Sequence, residues 1–206
     1  LQWVQLQFTV DGHELLVERA FDDNTEIAGS LFAPFSIYDD FNQLYVLPLC
    51  DYKTANLHAK IEKQIYVAAF LLKEGGSVLE AMQSDGDGKF FPKVIFSEDQ
   101  SYATVSVQTL RRVGFHDVDE NIIQRVLPLM AEQQATEPFM AKVVVSAKNF
   151  GSVPKTYIRT SLDQITSPGL QDTMIANWDV ETVLDLESGH FPAFSAPEKL
   201  AKLMLQ

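Results

Sequence analysis

The stretch from Lys155 to His190, KTYIRTSLDQITSPGLQDTMIANWDVETVLDLESGH, decides the fold. It opens on KTYIRT, a β-branched and aromatic run that predicts a strand. Ser161-Leu162-Asp163 follow as a loop. Ser167 offers an N-cap and Pro168 the first helical position, so SPGLQDTMIANW predicts a helix. VETVLDL predicts a second strand, and Ser188-Gly189-His190 leave its end. Strand, helix and strand in this order form a βαβ unit, which joins parallel strands by a right-handed crossover. Both loops then leave the carboxyl edge of the sheet, where sites in open α/β sheets lie.

The same pattern extends outward. QIYVAAFLL is a continuous apolar run, expected as a central strand over residues 65–71 buried on both faces. KEGGS after it reads as a turn, and AKVVVSAK, residues 141–148, as another short strand. LYVLPL is a short apolar run, and TANLHAKIEK has helical character. SAPEKLAKLML predicts a last helix, with Ser195 and Glu198 in capping-box spacing. The fold class expected is α/β, a mainly parallel sheet flanked by helices over residues 44–206.

Two regions break the rhythm. In residues 1–43, WVQLQFTV and ELLVERAF flank Asp11-Gly12, a hairpin signature; residues 22–43 show no steady period and read as loop with a short element. This segment either replaces strands the sheet has lost or offers an edge to another chain, so a homo-oligomer is among the expectations. Residues 83–137 carry turn residues, two short β-like runs and VDENIIQRVLPLMAEQ. The last predicts one amphipathic helix, introduced by Asp117 with Glu120 three later. An excursion of this kind is expected to be a lid, with Phe90, Phe91, Phe96 and Phe115 facing a small apolar or ester-type ligand; a helical layer that only packs is the alternative.

Composition narrows the function. The 206 residues carry a net charge of −12 and are 46% hydrophobic, enough for a sizeable core but the wrong charge for phosphate contact, so no nucleic-acid partner is expected. The longest apolar run, Ile65 to Leu72, is too short to span a membrane. One cysteine, Cys50, excludes an internal disulfide framework and fits a reducing, cytoplasmic compartment. The four histidines are scattered without ligand spacing, so neither metal nor cofactor is expected; His58 and His13 read as packing or surface residues. Gly75-Gly76 and the GDG at 86–88 are turns. Lys53 and Arg159 read as surface charge. The chain starts at Leu1, and residues missing before it are part of the expectation.

Asp163 and His190 each follow a strand, one βα unit apart. A general-base histidine needs a carboxylate at its other ring nitrogen, and neighbouring strand ends can bring the two together. The bland alternative is a loop cap and an ordinary polar loop residue.

The segment FGSVPKTYIRTSLDQITSPGLQDTMIANWDVETVLDLESGHFPAFSAPEKLAKLM resembles the C-terminal part of α/β-hydrolase-fold proteins, a group containing bacterial esterase-like hydrolases, plant methylesterases and hydroxynitrile lyases. IYVAAFLLKEGGSVLEAM, FHDVDENI and LPLMAEQQATEPF are similar as well, so the resemblance covers residues 44–206. It implies a carboxylic-ester hydrolase with His190 as catalytic histidine and Asp163 as its acid. It also implies a G-x-S-x-G elbow, and none exists in the chain. Counting back along LPLCDYKTANLHA places Asp51 at the nucleophile position, Leu49 and Lys53 at the two glycine positions, and the Tyr52 N–H as one oxyanion donor. Three readings stay open: Asp51 as a carboxylate nucleophile, Cys50 as the nucleophile one residue earlier, or a dead elbow on a scaffold that binds without catalysis.

Overall fold

A computed structural model describes residues 63–206 apart from residue 131, and before them the backbone of four strands. Those four, β1 (Gln2–Val10), β2 (His13–Phe21), β3 (Ser36–Tyr38) and β4 (Leu44–Val46), form an antiparallel sheet in the order β1-β2-β3-β4. β1 and β2 pair from Gln2↔Phe21 to Val10↔His13, the hairpin expected around Asp11-Gly12.

The second sheet is parallel, in the order β10-β9-β5, from β5 (Gln64–Val67), β9 (Lys155–Thr160) and β10 (Thr182–Leu186). Successive side chains on each strand point to opposite faces, and both faces are covered. Tyr66 and Tyr157 lie in register on one face, their rings 6.2 Å apart, within the larger core that also holds Leu71, Met82, Phe115, Leu170 and Met174. Ile65, Ile158 and Leu186 pack on the other against Ala201 and Met204 of the last helix.

The strand expected over 65–71 is shorter and is not central among the described residues. It ends at Val67 because Ala68 takes φ +48, a left-handed conformation that no strand can continue through. β9 occupies the middle of the described sheet, and β5 pairs with it on one side. The expected strand at 141–148 does not form. Its neighbour is the 73–76 turn, so Val143 alone pairs, exchanging bonds with Gly75 and Gly76 at 2.9 and 2.8 Å.

Between the parallel strands run α1 (Val78–Ser84), a small antiparallel sheet of β6 (Ile95–Phe96), β7 (Tyr102–Thr104) and β8 (Gln134–Ala135), α2 (Val107–Thr109) continued by a π turn over Leu110–Gly114, α3 (Glu120–Val126) and α4 (Glu137–Met140). The single helix expected from VDENIIQRVLPLMAEQ ends at Val126. Pro128, which cannot donate a backbone bond, leads into a 3-10 turn over Leu127–Leu129. Its N-cap is Asp119, not Asp117: Asp119 accepts the Asn121 N–H at 2.8 Å.

After β9 come α5 (Pro168–Ala176), capped by Ser167 as expected, and after β10 the short α6 (Pro192–Ser195) and α7 (Pro197–Met204). The capping box at Ser195 and Glu198 is absent. Ser195 closes α6 and its hydroxyl pairs with Ser188 Oγ at 2.6 Å, leaving Ala196 as the N-cap of α7 without a side-chain bond.

Candidate active site

Parallel pairing carries the two loops of interest to one edge. β9 and β10 run in register to Thr160↔Leu186, and the pairing continues beyond the strands. Ser161 N–H donates to Leu186 O and Leu162 N–H to Ser188 O, both at 3.0 Å. Asp163 and His190 follow at once on their loops. His190 Nδ1 lies 2.9 Å from Asp163 Oδ2, with both side chains almost wholly buried at 6% and 0% exposure.

A buried carboxylate is costly unless its lone pairs are satisfied. Asp163 achieves this with four donors. Oδ2 accepts from His190 Nδ1 and from Thr160 Oγ1 at 3.1 Å; Oδ1 accepts the backbone N–H groups of Ile165 and Thr166 at 2.8 and 3.0 Å. The carboxylate cannot rotate without losing the two amides. With Nδ1 donating to it, Nε2 is the basic nitrogen of the neutral ring.

A further shell holds Thr160. The buried Gln171 accepts the Thr160 N–H at 3.0 Å and donates to the Thr160 and Thr166 carbonyls at 3.1 and 2.8 Å. It thereby ties α5 to the end of β9 and to the acid's loop. The Tyr157 hydroxyl donates to Ala69 O at 2.7 Å. Burial first, and the Asp163 charge second, raise its pKa well above the ordinary tyrosine value.

The excursion is anchored at both loops. Asp85, closing α1, accepts the Ser167 N–H at 2.9 Å and bonds its hydroxyl, and Lys89 N–H donates to Gln164 O at 2.8 Å. Asp117 accepts the Gly189 N–H and the Ser188 hydroxyl through Oδ2. Phe115 stacks on Phe191 at 4.6 Å, and Phe191 meets the His190 ring edge-on at 5.0 Å.

Phe90, Phe91 and Phe96 do line one pocket, with Leu79, Met130 and Met140; it measures about 710 Å³ including its open mouth. Phe115 does not. It is a core residue, 1% exposed. The dyad is not among the residues lining this pocket, so the pocket and the dyad are separate features of the described structure.

The structure thus brings together Asp163 and His190. Cys50, Asp51 and Tyr52 lie outside the described residues, as does His58. Arg159 sits at the surface, bridging Asp172 and Asp185, which raise its pKa. Among the described residues no group of three or more His, Cys, Asp or Glu could hold a metal ion, and no helix is long and apolar enough to cross a membrane. Sequence reasoning missed Thr160, Gln171 and Asp117. A signal existed for the last: FHDVDE offers two carboxylates before one helix, and one N-cap needs only one of them.

Solved structures share this architecture. A pyrethroid hydrolase from Sphingobium faniae JZ-2 superposes with a TM-score of 0.60 at 19% identity, over 73% of this chain and 62% of that one. Polyneuridine aldehyde esterase gives 0.62 at 16%, over 74% and 64%. Tomato methylketone synthase I, complexed with 2-tridecanone, gives 0.58 at 15%, over 74% and 63%. The chain is a protein of the α/β-hydrolase fold. Within that fold it is similar to esterases of the methylesterase type. It is 44% identical over 54 residues to methylesterase 17 of Arabidopsis thaliana, covering 26% of this chain and 20% of that protein. It is 26% identical over 158 residues to the chloroplastic protein named methylesterase 15 of the same plant, covering 72% and 36%. The chain therefore spans between 16% and 40% of the curated relatives' length. No sequence-family model matches it.

Proposed function

We propose that the protein is an esterase-type α/β hydrolase in which His190 is the general base, Asp163 fixes its tautomer, and the nucleophile is not a serine. The observation that carries this reading is the buried 2.9 Å contact between His190 Nδ1 and an Asp163 carboxylate locked by two amides. In acyl transfer the nucleophile attacks the ester carbonyl while Nε2 takes its proton, where it has one. Where the nucleophile is the Cys50 thiol, the imidazolium so formed protonates the departing alkoxide; where it is the Asp51 carboxylate, the ring stays neutral and the alkoxide takes its proton from water. In both cases Nε2 activates the water that cleaves the acyl intermediate. Asp163 offsets the transient positive charge throughout.

Residues 83–137 act as the lid in this proposal, and the ligand is a small apolar or ester-type molecule, a carboxylic ester. The names of the relatives support that class of ligand. Asp51 or Cys50 is the nucleophile and the Tyr52 N–H an oxyanion donor. The lone Cys50 also fits a reducing compartment, the cytoplasm in this proposal. Leu49 and Lys53 favour a second reading. They put bulk where an elbow packs backbone against backbone, which would leave a binding protein on a silent scaffold.

A chromogenic short-chain ester and a fluorophosphonate probe decide between them. Turnover that resists the probe, and is lost in His190→Ala and in either Cys50→Ala or Asp51→Ala, supports the first reading and names the nucleophile. Turnover unchanged in His190→Ala overturns the dyad's role. Silence in the wild type, with saturable binding of an apolar ester, leaves the second reading standing.

A further inference from the structure

We infer that Asp117 is a positioning residue for His190, acting through the backbone of the loop that carries the imidazole. The inference rests on His190 being the base, but the contact can be measured without turnover. One hydrogen bond to Nδ1 fixes the tautomer, yet the ring can still swing about that bond if its loop moves. The residues on either side of His190 must therefore be held.

Both are held by one turn of the excursion, Gly114 to Asp117. On the N-terminal side, Asp117 Oδ2 accepts the Gly189 N–H and, at 3.3 Å, the Ser188 hydroxyl. On the C-terminal side, Phe115 stacks on Phe191, which packs edge-on against the imidazole. The fit leaves no room for a methyl group at either contact. A Cβ on Gly189 would lie 2.5 Å from Asp117 Oδ1, and one on Gly114 would lie 2.9 Å from the Phe191 ring. Asp117 Oδ1 is buried and has no hydrogen-bond partner among the described residues. An orphaned buried oxygen is unfavourable. The pair of donors on Oδ2 offsets it, which explains a carboxylate here in place of a helix cap. The turn, the carboxylate and the ring stack together bracket the imidazole between Gly189 and Phe191.

Hydrogen exchange by NMR on the full chain, wild type and variants, tests the assignment. In Asp117→Ala the Gly189 amide and the His190 Nδ1 proton should exchange about tenfold faster or more, the consequence of losing bonds to a charged acceptor. The Tyr157 and Ile158 amides of β9 should keep their wild-type rates. Asp117→Asn retains one acceptor oxygen and should stay within about threefold of wild type. If Asp117→Ala fails to unfold cooperatively, Gly114→Ala replaces it; its methyl displaces Phe191 and should speed the same Nδ1 proton. Unchanged exchange at Gly189 and His190, or acceleration shared equally by β9, overturns the positioning role. Ester assays separate the two claims. Silence in every protein with the exchange pattern present removes only the catalytic reading, and His190-dependent turnover with exchange unchanged in Asp117→Ala removes only the positioning role.

Discussion

Replacing Asp163 by asparagine and by alanine separates its two oxygens, because each faces a different pair of donors. Asparagine keeps an oxygen toward the Ile165 and Thr166 amides and turns an NH2 group toward His190 and Thr160. The threonine hydroxyl can rotate to accept. His190 cannot keep a proton on Nδ1 against another donor, so the ring must take the Nε2–H tautomer. All four bonds to a charge become bonds to a neutral group, at about 1 kcal/mol each, or about 4 kcal/mol in total. Alanine also strands both amides in a buried site, at about 1–3 kcal/mol apiece. The alanine protein should therefore be less stable than the asparagine protein by about 2–6 kcal/mol, or roughly 4–24 °C in Tm for a chain of this size. Urea unfolding gives the energies, and the 15N shifts of the His190 ring give the tautomer. Where ester turnover exists, the asparagine protein should lose it by about 10⁴-fold, the effect of a wrong tautomer. Equal stability of the two variants, or a His190 still protonated on Nδ1 in the asparagine protein, would refute this account of the site.

Gln171→Ala removes the clamp between β9 and α5 and leaves the Thr160 N–H buried without its acceptor; we expect a loss of about 2–4 kcal/mol by urea unfolding, with the His190 Nδ1 proton weakened as Thr160 loosens. Tyr157 has a raised pKa in the folded protein, so its contribution to stability is complete below the unfolded value near 10.0 and is lost as pH rises beyond it; the stability gap between wild type and Tyr157→Phe should narrow above that pH, and a gap that is constant from neutral to alkaline pH would contradict the burial argument. Asp51→Ser alone should yield no serine-esterase turnover while Leu49 and Lys53 remain, whereas the same change with glycine at both flanks should give measurable ester cleavage.

The parts of this fold set by local chemistry were legible in the chain. KTYIRT and VETVLDL carry their strand character in β-branched residues, and Ser167-Pro168 can hardly do other than start a helix. The strand ends then place Asp163 and His190 without further information. Features fixed by distant partners were not legible. Asp117 reads as a helix cap until the 188–189 loop arrives to take its oxygen. Ser195 reads as half of a capping box until Ser188 claims its hydroxyl. VVVSAK has every propensity of a strand, but what lies beside it is a turn that can pair with Val143 alone. The apolar run after Gln64 contains nothing that announces the left-handed Ala68. For Asp117 and Val143 a correct local tendency lost to a tertiary contact with a distant part of the chain.

The ladder between β9 and β10 separates the dyad's span from the contour length of the chain that joins its members. Thr160 and Leu186 are neighbours because the strands are in register, and the bonds from Ser161 and Leu162 carry that neighbourhood into the loops. The connection that returns from α5 to β10 passes through the exposed Asn177, Asp179 and Glu181 at the surface. Extra residues spliced in at Asp179, or new chain ends opened there by circular permutation, would lengthen the path from acid to base without moving either. Descendants of this chain are thus free to gain whole modules between the two residues while the 2.9 Å contact stays as it is.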